Sequence, residues 1–196
     1  MTARQTRPRP GVMALCTAVG LSLALTGCGG GDDAKPSATT TAASSAPASS
    51  ASPADPDAAT KAAVLASYTS MWVEQMKAYR VASPDGTKLD DFATLDALTA
   101  FEQDLTHMKK SGTIGTGQLG HEPEVAELDM AAKIPTATVE DCIDLSKWKA
   151  ERTPSGEVVP LPTAQPLRYV ATATVERWDD NRWMVTEYKP DGNQTC

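Results

Sequence analysis

Only two histidines, His107 and His121, occur in the chain, and the four cysteines stand far from them and from one another. A four-ligand metal site needs such residues clustered, so no metal is expected, and no cofactor motif takes its place. There is no Gly-x-Ser-x-Gly elbow, no Gly-rich phosphate loop opening a helix and no His-Glu-x-x-His. The sequence signals of a hydrolase nucleophile, a nucleotide site and a zinc protease are therefore missing. Cys-x-x-Cys is absent too, which argues against a redox-active thiol pair. No basic run is longer than Lys109-Lys110. Phosphate neutralisation has no footing, and no nucleic-acid partner is expected. No internal repeat is visible, and no alternation of strand and helix patterns suggests a parallel sheet.

What is present begins with export. Arg4, Arg7 and Arg9 form a basic segment without acidic residues, and an apolar stretch follows from Val12 to Leu25. A membrane span needs about 20 apolar residues, so this stretch reads as the core of a secretory signal. It ends in Leu25-Thr26-Gly27-Cys28, which resembles the lipobox of bacterial lipoproteins. The resemblance implies cleavage before Cys28, acylation of that cysteine by chains such as palmitate, and a lipid-anchored position on the extracytoplasmic face of the cell membrane. Ordinary secretion with a spare thiol is the alternative, but its cleavage site wants a small residue where Leu25 stands. Each buried CH2 contributes about 0.8 kcal/mol, so a diacylglyceryl group holds a chain firmly where one acyl chain would not.

The expected organisation is a signal peptide over residues 1–27, a lipidated cysteine and tether over 28–58, and a folded domain over 59–196. The tether is almost wholly Gly, Ala, Ser, Thr and Pro, with no apolar residue larger than Ala to build a core. A flexible coil of that length spans roughly 30 Å. A bland spacer and an O-glycosylated stalk both fit it. Removal of Arg4, Arg7 and Arg9 leaves 15 Lys and Arg against 25 Asp and Glu, a net charge of −10. An acidic head is not drawn onto anionic headgroups, so it stands off the membrane.

Within the domain the hydrophobic period changes once. Val64, Tyr68, Met71, Trp72, Met76 and Tyr79 fall at three-to-four spacing and predict a helix from Ala59 to Ala82, stopped by Pro84-Asp85-Gly86. A second helical block runs from Leu89 to Lys110, with Leu95, Leu98, Phe101, Leu105 and Met108 on one face and Gly112 as its cap. Thr94 suits a division of that block. His107 falls late in it, where it suits the negative end of the helix dipole. Strands are then expected at Thr136 to Asp144, Leu167 to Trp178 and Trp183 to Tyr188, with the turn Asp179-Asp180-Asn181 joining the last two. A further strand lies between Gly117 and Leu128, bent near Pro123, and Thr153 to Pro166 reads as a long hairpin loop. The fold class is α+β, with two to three helices on a curved antiparallel sheet of about four strands.

The paired helices with Tyr68, Met71-Trp72 and Tyr79, the strand Asp141-Cys142-x-Asp144, the hairpin Arg177-Trp178-Asp179-Asp180 to Trp183-x-Val185 and the terminal Cys196 together resemble the NTF2-like (cystatin-like) secreted lipoproteins of actinobacteria. The resemblance covers about residues 60 to 196. It implies three helices against a strongly curved sheet with a cone-shaped pocket, a fold that hosts enzymes, binders and scaffold subunits alike. Its enzymatic branches use pocket Asp or His residues.

Cys16 leaves with the signal and Cys28 takes lipid, so Cys142 and Cys196 remain as an expected disulfide. On a regular strand Val139, Asp141, Ile143 and Leu145 share one face, which sets a carboxylate among apolar neighbours. Such a group is either paired, with Arg168, Arg177 or a Trp indole as partner, or shifted in pKa and available as a general acid or base. Trp72 is expected in the core. Trp148, Trp178 and Trp183 are candidates, with Asp141, for the lining of a pocket, although Trp on a sheet is more often packing. His121 has no assignable role. Three functions remain: a non-catalytic interaction module binding an envelope protein or other envelope component, a binder of small hydrophobic ligands, and an enzyme. A large, open, apolar pocket favours the second and an exposed apolar patch the first. Replacing Cys28 with Ala is expected to release the protein from the membrane fraction or leave its signal uncut; normal processing with full membrane retention would defeat the anchor reading.

Overall fold

The computed structural model describes residues 55–196. The signal, the lipobox residues Leu25, Thr26 and Gly27, the lipidation site Cys28 and nearly all of the tether lie outside the described residues. Helix α1 spans Ala58–Val81, beginning one residue inside the expected tether. Val64, Tyr68, Met71, Trp72 and Met76 form its buried face, as their spacing requires. It ends where Ala82 adopts φ 51°. The second block divides as expected: a 3-10 turn, Leu89–Asp91, precedes helix α2, Leu95–Ser111, which has an extended Thr94 at its N-cap. Gly112 closes α2 at φ 63°, where a side chain would be strained. Leu95 differs from expectation. It opens the helix facing outward and is exposed, while Ala97, Phe101 and Leu105 carry the buried face.

The strands number seven: β1 Thr113–Gly117, β2 Pro123–Asp129, β3 Thr136–Asp144, β4 Trp148–Arg152, β5 Val158–Val159, β6 Arg168–Arg177 and β7 Trp183–Asp191. They form two open antiparallel sheets, ordered β1-β4-β5 and β2-β3-β6-β7. The expected single sheet of about four strands is thus corrected to two. The strand placed between Gly117 and Leu128 is β2, which begins only at Pro123, whereas β1 and β4 were not expected and the Thr153 to Pro166 loop contains β5. The physical reason lies in composition. β1 reads Thr-Ile-Gly-Thr-Gly and β4 reads Trp-Lys-Ala-Glu-Arg, short stretches whose Gly and charged residues hide any strand signal. β3 matches its expected bounds, and β6 and β7 lie close to theirs.

The two sheets share one bent ribbon. Gly117 pairs with Trp148 in the first sheet, Gly120 bridges to Asp144, and Pro123 pairs with Asp141 in the second. The register slips by a single residue at the bend. Two glycines make the bend possible. At Gly117, φ is +78° and a Cβ would lie 2.0 Å from the Lys147 carbonyl oxygen, and at Gly120 it would lie 2.8 Å from Asp144 Cβ. Only Gly allows backbones this close. Pro123 then opens β2, a strand position that tolerates a residue without an N–H.

The core fills the space between the helices and the four-stranded sheet. Val64, Tyr68, Met71, Trp72 and Phe101 meet Ala137, Val139, Ile143, Ala171, Ala173 and Val185. Small alanines at the centre of the sheet leave room for three large rings. The segment before α2 covers the edge of β7: Val185 N–H donates to the Phe92 carbonyl at 2.8 Å, and Thr94 N–H donates to that of Val185 at 2.9 Å.

Cys142 and Cys196 are joined, as expected, with their Cα atoms 5.9 Å apart. The bond closes a loop of 54 residues and pins the C-terminal segment beside β6, where Val170 N–H donates to the Gln194 carbonyl at 2.8 Å. In the chain-entropy account a loop of this size stabilises by about 4 kcal/mol. Reduction, or Cys142→Ala with Cys196→Ala, is expected to lower the urea midpoint by a matching amount; an unchanged midpoint would show that the bond leaves the unfolded chain unconstrained.

Candidate functional site

Asp141 faces the core from β3 and is 1 % exposed. Alternation along a strand put it there, next to Val139 and Ile143, both fully buried. Three donors compensate the lost water. Tyr68 Oη on α1 donates to Oδ2 at 2.9 Å, Glu122 N–H donates to Oδ1 at 2.7 Å, and His121 Nδ1 lies 2.7 Å from Oδ2. A carboxylate offers only acceptors, so the proton in the His121 contact belongs on Nδ1, which leaves Nε2 as the free nitrogen. Burial, and then the Asp141 charge, push the Tyr68 hydroxyl well above the ordinary tyrosine range. Tyr68 therefore stays a donor at any physiological pH. The expected partners are corrected: Arg168 sits outside the core, contacting Glu122 at 3.2 Å and Asp144 at 3.6 Å, and neither Arg177 nor an indole reaches Asp141.

Beside this cluster runs a groove of about 700 Å³ between α1 and the bend of the ribbon. Trp72, Val73, Met76, Leu119 and Pro123 give it an apolar floor, and His121 and Tyr68 stand at one end. Trp72 also packs on His121, with ring centroids 4.9 Å apart. Its Nε1, the hydroxyl of Tyr188 and both amide atoms of Gln75 are buried without a hydrogen-bond partner. Behind the groove, Tyr79 donates to Asp104 at 3.3 Å, and burial raises the Asp104 carboxyl above its usual range.

The tryptophans fall differently from expectation. Trp183 is buried in β7, Trp178 is exposed at the β6–β7 turn, and Trp148 packs near Gly115 on β4. None of the three lines the groove, whereas Trp72, expected only in the core, does. Asp141 is sealed behind Tyr68 and His121, so it orients groove residues without reaching the groove itself. Sequence reasoning missed His121 because its partner is distant in sequence. The signal that could have found the groove is a second stripe on α1, where Thr69, Trp72, Val73, Met76, Lys77 and Arg80 flank the core stripe at helical spacing. His107 is exposed near the end of α2, in keeping with its expected place. Among the described residues no group of three or more His, Cys, Asp or Glu is placed to hold a metal ion. Nor is any described helix long and apolar enough to cross a membrane.

No protein-family model matches the sequence, and no curated protein matches it. Among solved structures, the chain is similar to the intermembrane space region of the chloroplast protein ARC6, at 13 % identity and a TM-score of 0.39, over 67 % of this chain and 96 % of that one. It is also similar to a protein from Catenulispora acidiphila at 14 % identity and a TM-score of 0.35, over 67 % and 93 % of the two chains. Neither likeness bears on the chemistry of the site.

The Asp141 cluster yields a stability test. Asp141→Ala leaves three donors facing an empty space and is expected to cost about 3–5 kcal/mol, whereas Tyr68→Phe removes one bond to a charged acceptor and costs about 1.5–3 kcal/mol. Urea titrations in which Asp141→Ala proves the milder change would remove the carboxylate from its central position.

Proposed function

We propose that this is an NTF2-like lipoprotein, anchored through Cys28 to the extracytoplasmic face of the membrane, whose domain acts as a non-catalytic binding module for a small molecule with an extended apolar body. The groove along α1 carries this reading. Its volume falls within the roughly 300–1,000 Å³ of small-molecule sites, and its floor is apolar with few polar groups, as such sites require. Val73 stands in it 51 % exposed, a large apolar side chain awaiting cover. Two N-terminal helices followed by a long bent ribbon support the NTF2-like assignment, as does a groove between helix and sheet. The lipobox and the expected division at residues 27 and 58 support the anchor.

A protein partner in the envelope is the other binding reading. Its sign would be a contiguous apolar patch. Of the exposed large apolar residues outside the groove, Val81, Leu95, Val158 and Leu167 belong to separate elements or turns. Met130, Ile134 and Trp178 instead come from adjoining turns at one end of the four-stranded sheet, where Arg177 N–H donates to the Pro135 carbonyl at 2.9 Å, and these three are where such a partner would dock. An enzyme needs a reactive group in contact with its substrate. Asp141 is screened from the groove, and His121, which does line it, is held by Asp141 through Nδ1. The apolar floor beside that single imidazole is what supports binding ahead of turnover.

The test uses residues 29–196, free of lipid, with 1-decanol as a neutral ligand. Saturable quenching or enhancement of tryptophan fluorescence is expected. Val73→Glu, an exposed position, should leave the thermal midpoint in place and weaken binding about tenfold, since covering one such side chain is worth about 1.5 kcal/mol. Absence of saturable binding, or binding indifferent to Val73→Glu, would sink the reading.

A further inference from the structure

The charge around the groove is opposite in sign to that of the chain. Among the residues that line it, Lys77, Arg80 and Lys147 are cationic and Asp144 is the sole carboxylate. Asp144 is already engaged: it accepts the Ser146 N–H at 2.8 Å and lies 3.6 Å from Arg168. Lys77 is paired with Glu74 at 2.6 Å. Arg80 and Lys147 form no ion pair among the described residues, and both are exposed.

These two cations lie toward one end of the groove. A Cβ at Gly115 would lie 3.1 Å from Tyr79 Cβ and 3.2 Å from the Trp148 indole nitrogen. The last turn of α1, which holds Arg80, therefore packs against the strand pair that Lys147 precedes. Tyr68 and His121 mark the other end, twelve residues back along the helix, or about 18 Å at 1.5 Å per residue. Between the ends lie Trp72, Val73, Met76 and Leu119. The groove is thus graded, with an apolar length leading to a cationic mouth. Helix geometry accounts for part of this, since a basic residue in a last turn complements the helix dipole. It does not account for Lys147, which reaches the mouth from the opposite wall.

We infer that the occupant of this groove is a single-chain amphiphile with a carboxylate head, its chain along Trp72, Val73 and Met76 and its head at Arg80 and Lys147. The inference rests on the groove reading given above and adds the class of ligand to it. Arg80 offers a planar fork that matches a carboxylate, and Lys147 adds a point charge. A single negative charge also meets less repulsion from an acidic chain than a doubly charged head would. The chain of such a ligand covers Val73, and its head gives two unpaired cations a counter-ion.

Paired titrations of residues 29–196 with decanoate and 1-decanol test this at low ionic strength. The acid is expected to bind about tenfold tighter than the alcohol, and the preference should shrink as salt is added. Arg80→Ala with Lys147→Ala should abolish the preference by weakening decanoate more than 1-decanol. Val73→Glu should weaken both ligands. If the alcohol binds as tightly as the acid, or if the preference survives the double substitution, the head-group assignment is overturned and the groove reading stands. If neither ligand binds saturably, both fall together.

Discussion

The Asp141 carboxylate is the point on which three parts of the fold converge. Its donors come from the middle of α1 and from the consecutive residues His121 and Glu122 at the bend of the ribbon, and it belongs to the interior strand β3. A buried charge is tolerated only when its acceptor sites are filled, so each of these elements must be in place together. The cluster thereby sets the distance between α1 and the ribbon. That distance is the width of the groove.

The glycines supply the complementary constraint. Gly117 and Gly120 let the ribbon turn sharply enough to bring His121 over the helix, and the same turn carries Lys147 to the groove mouth. A straight ribbon would keep the two sheets continuous and leave α1 without an opposing wall. One glycine-bearing segment therefore decides both the shape of the groove and the sign of the charge at its end.

Features governed by local pattern were legible in the sequence. The period of Val64, Tyr68, Met71 and Trp72 marks α1, alternation marks β3 and the inward turn of Asp141, and Gly112 marks the end of α2. The cysteine count identified the Cys142–Cys196 pair. Features governed by long-range geometry were not. β1 and β4 are strands because they pair with each other at long range, Thr116 facing Lys149 and donating to Glu151 35 residues away, at only moderate propensity. The partner of Asp141 was sought among Arg168, Arg177 and the indoles, and the fold chose a tyrosine, a histidine and a backbone amide instead. Trp72 serves the core and the groove at once, a double duty that a helical period cannot display. The signal, Cys28 and the tether rest on sequence alone, since the structure describes residues 55–196.

On the proposed lipid anchor, the edges of the four-stranded sheet bear on how closely such heads can be packed. At Val185 the outward N–H and C=O of β7 are already matched by Phe92 and Thr94, so a neighbour's strand cannot pair at that position. The opposite edge, β2, presents Glu124, Glu127 and Asp129, and two copies approaching there would set like charges against each other. Confinement to a surface raises local concentration far above that in solution and would punish any sticky border between copies. The like charges along β2 oppose strand-to-strand addition at that edge.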